Sequence, residues 1–180
     1  MASAASWSTR ANALTLVRLL LAPAIAGAIL QGMTPLAAWL LGLAIATDFA
    51  DGWVARRYGE ESAFGGFADH AVDALLVTAG TAALACAGVL PAPLPWLIAL
   101  AFTQYALDSR IVAGHALRAS AVGRWNGIAY YVVLAIPLVR DALALSWPAD
   151  AFVRQLGWLL VASTLVSMGD RLLTYWRRGD

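Results

Sequence analysis

Six long apolar runs organise the chain. They cover Asn12 to Leu30, about Leu36 to Arg56, about Ser62 to Leu90, roughly Trp96 to Val112, about Trp125 to Leu143 and about Phe152 to Tyr175. The middle of each run is apolar, and a helix of this length suits a hydrocarbon core about 30 Å thick. Between the runs lie turn-forming stretches: the uncharged Gln31-Gly-Met-Thr-Pro35, the polar Arg57-Tyr-Gly59-Glu60-Glu61-Ser62, and Pro91, Pro93 and Pro95, which are expected to break the helix. A loop with Arg110, His115, Arg118 and Arg124 precedes the fifth run. No repeat or long linker divides the chain. The pattern predicts an all-α, polytopic membrane protein with six transmembrane helices in a single domain, residues 1–180.

Composition and charge sharpen this picture. Of 180 residues, 61% are hydrophobic and 13% charged, whereas an ordinary soluble domain is about 25% charged. The net charge of +1 points to neither nucleic acid nor an acidic partner. Every basic residue is Arg, and the arginines are unevenly spread. One side of the predicted bundle collects Arg10, Arg56, Arg57, Arg110, Arg118, Arg124, Arg171, Arg177 and Arg178, with Arg18 just inside; the other has Arg140 and Arg154. The positive-inside rule then puts both termini in the cytoplasm. Trp7, Trp53, Trp125 and Trp176 fall near that boundary and Trp39, Trp96, Trp147 and Trp158 near the other, as interfacial belts do. Cys86 lies in an apolar run and reads as a buried, inert thiol. Arg18 and Pro23 argue against reading the first run as a signal peptide.

The polar exception is Asp48 to Asp73. It reads Asp48-Phe-Ala-Asp51-Gly52-Trp-Val-Ala55-Arg56, eight residues, then Gly65-Gly-Phe-Ala-Asp69-His-Ala-Val-Asp73. An acid at membrane depth costs about 2.5–3.5 kcal/mol on insertion scales and is seldom there without a task. On a helix, Asp48, Asp51, Gly52, Ala55 and Arg56 share a face, and Asp69 stacks on Asp73 with Gly65 one turn earlier. The stretch predicts a helical hairpin whose facing surfaces each carry two carboxylates. Such an oxygen-rich pocket suits Mg²⁺ or Mn²⁺ better than zinc or copper.

The spacing D-x2-D-G-x2-A-R-x8-G-x3-D-x3-D resembles the signature of the CDP-alcohol phosphatidyltransferase family, with every fixed position present. From ordinary residue frequencies, a chance match has a probability on the order of 10⁻⁸. The resemblance implies transfer of a phosphatidyl group from CDP-diacylglycerol to an alcohol, with release of CMP, by an enzyme of phospholipid biosynthesis. It implies two metal ions bound by Asp48, Asp51, Asp69 and Asp73, with Asp73 also accepting the proton of the incoming hydroxyl. Asp48, Gly52, Ala55, Arg56, Gly65 and Asp69 would bind the CDP moiety. The two glycines would let the nucleotide press on the helices, Ala55 would leave room for cytosine, and Arg56 would fork onto phosphate.

Asn12, Thr15, Arg18 and Pro23 are similar to the N-x2-T-x2-R-x4-P stretch of bacterial members, which implies that Thr15 and its neighbours line the nucleotide or acceptor site. On spacing alone, the stripe is equally an interface anchor with Arg18 snorkelling. The resemblance also implies a homodimer, and the arginine asymmetry puts the aspartate stretch, with the termini, on the cytoplasmic side of a bacterial-type inner membrane.

The acceptor is less sharply drawn. Arg110, Arg118 and Arg124 could grip a phosphorylated acceptor such as glycerol 3-phosphate, or could serve only as orientation signals. Ser120-Ala-Val-Gly123-Arg124 is similar to the Ser-x-x-Gly-Lys stretch of phosphatidylglycerophosphate synthases. Here Arg replaces Lys, Asn126 stands where Thr is usual, and Ala74 rather than Lys follows Asp73. Glycerol 3-phosphate leads; serine, an inositol phosphate and phosphatidylglycerol remain open.

Duller readings exist for each residue. The small residues could be packing contacts, Arg56 a topology signal, and Asp48 and Asp51 mere neutralisers of Arg56 and Arg57. His70 reads as an incidental boundary residue, His115 as solvated, and Asp108 and Asp170 as partners of nearby arginines. None of these explains four acids at this spacing. A divalent-metal transporter would need polar groups through the full membrane depth, and an intramembrane prenyltransferase a second, distant Asp-rich motif.

Overall fold

The computed structural model describes residues 10–58, 63–107 and 121–176. Among them are six α-helices and no strand: α1 (Arg10–Leu30), α2 (Thr34–Tyr58), α3 (Ala63–Cys86), α4 (Pro93–Leu107), α5 (Ala121–Ala142) and α6 (Asp150–Trp176). The predicted runs are these helices with their ends shifted by a few residues. One correction concerns the prolines. Pro93 and Pro95 do not break the helix but sit in the first turn of α4, where the backbone N–H groups have no helical partner to lose.

Short turns join α1 to α2, α3 to α4 and α5 to α6, so consecutive helices run antiparallel. The first two turns close on left-handed glycines, Gly32 (φ +71°) and Gly88 (φ +76°). Beyond them, Met33 N–H reaches the Ala28 carbonyl and Val89 N–H the Leu84 carbonyl, each at 2.9 Å, satisfying the frayed helix ends. Arg154 of α6 donates to the Gly88 carbonyl and ties the second turn to the bundle.

The principal helix contacts form a closed ring, α1–α2–α5–α6–α4–α3 and back to α1, with α3 also meeting α5 across the middle. Each helix sends a fully buried aliphatic residue to the core: Ile25, Leu41, Leu76, Leu94, Leu134 and Val153. Gly80 brings α3 close to α5, since a Cβ there would lie 2.8 Å from Leu134 Cδ2. Gly157 brings α6 close to the turn between α3 and α4, where a Cβ would lie 2.4 Å from Pro91 Cδ.

The outside of the ring is as apolar as the inside. Leu20, Trp39, Trp96, Trp125, Trp158 and Leu159 are all exposed. A water-soluble bundle would show charge there, and patches this extensive mark contact with something apolar. Among the described residues, two helical stretches, Val122–Ala142 and Asp150–Leu173, are long and apolar enough to cross a membrane; Leu14–Leu30 and Pro93–Leu107 are apolar but shorter. Cys86 corrects another expectation. It is exposed, because it is the last residue of α3 and lies past the packed part of the helix.

Candidate active site

The site forms where the end of α2, the start of α3 and the first half of α1 meet. Asp48 and Asp51 stand three residues apart on α2, and Asp69 and Asp73 four apart on α3, so each pair presents its carboxylates on one face. The helices do not make the facing hairpin that their spacing suggests. Among the described residues, α1 lies between them and α2 has no substantial contact with α3. The four acids converge instead on Arg18 of α1.

Arg18 is fully buried and its guanidinium meets all four carboxylates. Nη1 donates to Asp48 Oδ1 at 2.7 Å and to Asp73 Oδ1 at 2.5 Å. Nη2 donates to Asp51 Oδ2 at 3.0 Å and also to Asp69 Oδ1. The reading of Arg18 as a snorkelling anchor therefore fails: the side chain points into the bundle because four anions are there. Thr15, one turn earlier, donates to Asp51 Oδ2 at 2.9 Å. From α5, the Tyr131 hydroxyl donates to Asp73 Oδ1 at 3.1 Å.

One guanidinium does not balance four carboxylates. Like charges this close repel by about 4 kcal/mol per pair at an effective dielectric of 20, so the cluster retains strong attraction for further positive charge. Its donors are all carboxylate oxygens, the set that Mg²⁺ and Mn²⁺ prefer. Ligand atoms of Asp69, His70 and Asp73 also lie within 4.8 Å of one another. The cluster is open on one side, since the Asp48 side chain keeps 43% exposure while Arg18 has none. The residues thus fit a divalent cation.

A cavity of about 610 Å³ adjoins the cluster, with Asp48 and Asp73 in its wall. α3, α4, α5 and α6 enclose it. Its lining is mixed: His70, Phe102 and Tyr105 beside Gln104, Asn126, Tyr130, Tyr131, Arg124 and Arg171. His70 stacks edge-on against Tyr105 at 6.0 Å, and the Arg171 guanidinium lies 5.5 Å from the same ring's centre. Tyr130 and Thr164 hydroxyls meet at 2.6 Å and join α5 to α6 in this wall.

The sequence-predicted residues divide clearly. Asp48, Asp51, Asp69, Asp73 and Thr15 come together. Gly65 is half-buried on α3, one turn before Asp69. Gly52, Ala55 and Arg56 lie on the last turns of α2, with their side-chain surroundings outside the described residues, as are Arg110, Arg118, His115 and Asp108 altogether. Arg124 is exposed at the start of α5 and reaches the cavity. Arg171, Tyr131, Gln104 and Asn126 line the cavity without having been singled out as binding residues. Two carried a signal: Arg171 as a cation on the same side as the acids, and Asn126 as the residue standing where Thr is usual after Ser120-Ala-Val-Gly123-Arg124.

Comparison with known proteins agrees with this geometry. A phosphatidyltransferase of Cereibacter sphaeroides, "CDP-diacylglycerol--glycerol-3-phosphate 3-phosphatidyltransferase", is 34% identical over 152 residues, 77% of this chain and 66% of that protein. A "Probable phosphatidylglycerophosphate synthase" of Mycobacterium tuberculosis is 29% identical over 171 residues, 91% of this chain and 75% of that protein. The chain thus spans about two thirds of the first relative and three quarters of the second. Residues 8–168, nearly its whole length, match one family, and the chain belongs to it: the CDP-alcohol phosphatidyltransferases.

Proposed function

We propose that the protein transfers the phosphatidyl group of CDP-diacylglycerol to glycerol 3-phosphate and releases CMP. The observation that carries this reading is the convergence of four carboxylates beside a cavity of mixed lining that also contains Arg124 and Arg171. The relatives' names supply the acceptor. Membership of a phosphatidyltransferase family sets aside the transporter and prenyltransferase readings.

In this proposal a primary hydroxyl of the acceptor attacks the lipid-side phosphorus. A new P–O bond forms, the bond to the bridging oxygen breaks, and CMP departs with the electron pair. Asp73 takes the hydroxyl's proton. Its Oδ1 is held by Arg18 and Tyr131, and among the described residues nothing bonds its Oδ2. Two divalent ions, Mg²⁺ or Mn²⁺, held by Asp48, Asp51, Asp69 and Asp73, would supply neutralisation of the pyrophosphate charge. Arg56 grips phosphate, and Gly52, Ala55 and Gly65 leave room for the nucleotide. Thr15 holds Asp51 in place for the same task. Arg124 and Arg171 receive the acceptor's phosphate, with Arg110 and Arg118 adding to the field around it.

The same proposal sets the chain in the membrane as a single six-span domain. At 25 and 24 residues, α2 and α3 are long enough to cross, at about 1.5 Å per residue. The arginine asymmetry favours both termini, and the site, on the cytoplasmic side of a bacterial inner membrane. The lipid-facing apolar surface leaves room for a homodimer.

The test is CMP release from CDP-diacylglycerol by purified protein with glycerol 3-phosphate, serine, an inositol phosphate or phosphatidylglycerol. Glycerol 3-phosphate alone should support turnover. Release with another acceptor and none with glycerol 3-phosphate would reassign the substrate.

A further inference from the structure

Two amide side chains in the cavity wall are half satisfied in the same way. Gln104 is on α4 and Asn126 on α5, and α6 fixes one end of each. Gln104 Nε2 donates to the Met168 carbonyl at 3.3 Å, and Ser163 Oγ donates to Asn126 Oδ1 at 2.6 Å. Among the described residues, the other ends, Gln104 Oε1 and Asn126 Nδ2, are buried and have no hydrogen-bond partner. Asn126 as a whole is only 5% exposed. Leaving such an atom unpaired costs about 1–3 kcal/mol, and native structures seldom leave one without a reason. Packing between helices accounts for the anchored ends but not for the free ones.

The free ends are complementary to each other: one accepts and one donates. A ligand hydroxyl uses both, giving its proton to Oε1 and taking a hydrogen bond from Nδ2. Both residues line the cavity that holds Asp73, Arg124 and Arg171. On the reading of glycerol 3-phosphate as acceptor, on which this inference rests, Asp73 and the two arginines deal with the attacking hydroxyl and the phosphate. The secondary hydroxyl between them is left without a partner. We propose that Gln104 and Asn126 recognise this secondary hydroxyl and so determine which phosphorylated alcohols the enzyme accepts. Because α6 pins each amide beforehand, little conformational freedom is lost when the hydroxyl arrives.

The experiment compares glycerol 3-phosphate with 3-hydroxypropyl phosphate, which lacks only that hydroxyl, in the wild type and in Gln104→Met and Asn126→Leu. Wild-type kcat/KM should be at least about tenfold lower for the deoxy acceptor, as expected for a lost hydrogen bond in a buried site. Each variant should lose about tenfold with glycerol 3-phosphate, lose little with the deoxy compound, and keep its KM for CDP-diacylglycerol. The ratio between the two acceptors thus shrinks toward one. A purely structural role would slow both acceptors equally, and that result overturns the proposal. So does a wild type that uses both acceptors alike, a measurement that needs no variant to fold. Absence of any wild-type turnover with glycerol 3-phosphate, with turnover on another acceptor, removes the acceptor reading itself and is a different outcome from equal use of the two compounds.

Discussion

The site has two unlike walls, the acid cluster and the cavity lining that adjoins it at Asp48 and Asp73. On the α1–α2–α3 side the polar groups are charged or bound to a charge: Arg18, four aspartates, and Thr15 on Asp51. On the α4–α5–α6 side hydroxyls and amides predominate, among them Gln104, Asn126, Tyr130 and Thr164. The charged wall depends on compensation. Removing a partner from a buried ion cluster costs about 3–5 kcal/mol, because the remaining charges are left in a poor solvent. The neutral groups of the second wall, which stand beside Arg124 and Arg171, tolerate loss far better, since each amide or hydroxyl contributes about 1 kcal/mol. One wall is built to hold charge in place, the other to fit a polar molecule beside it.

The largest effect should come from Asp73→Asn. It keeps the shape, removes the proton acceptor and lowers the repulsion among four like charges, three of which still pair with Arg18, so turnover should fall by about 10³-fold or more while the melting temperature changes little. Turnover within tenfold of wild type would move the base elsewhere. Next is Arg18→Met, which leaves four carboxylates without their guanidinium. In EDTA the variant should be destabilised by about 3–5 kcal/mol, and added Mn²⁺ should recover most of that loss. If Mn²⁺ raised the melting temperatures of variant and wild type by the same amount, the cluster would not be sharing its charge as described. The smallest change lies far from both walls. Gly157→Ala puts a Cβ 2.4 Å from Pro91 Cδ and 3.2 Å from Leu90 Cδ2, and overpacking of this kind costs about 1–3 kcal/mol. Melting should fall while turnover per folded molecule stays unchanged, which separates bundle stability from the chemistry of the walls.

The same contrast explains what could be read from the chain. The aspartates were legible because charge at membrane depth is expensive and helical spacing says which charges share a face. Their partner was harder to see. Helical periodicity gives the direction of Arg18 on its own helix, but not that α1 would lie between α2 and α3. The predicted hairpin had the right residues and the wrong neighbours, since contacts between non-consecutive helices leave no local pattern. Gln104 left even less trace, because a lone neutral amide in a long run costs little and has many uses. Pro93 and Pro95 misled in a simpler way, as proline marks a helix start as readily as an end.

The central claim is that the carboxylates of Asp48, Asp51, Asp69 and Asp73 hold divalent cations for the transfer step. CMP release from CDP-diacylglycerol and glycerol 3-phosphate, followed after exhaustive EDTA treatment and then during Mg²⁺ or Mn²⁺ addition, tests it most directly. The account predicts no release in EDTA and saturable recovery on addition of either ion. Undiminished release in EDTA would contradict it.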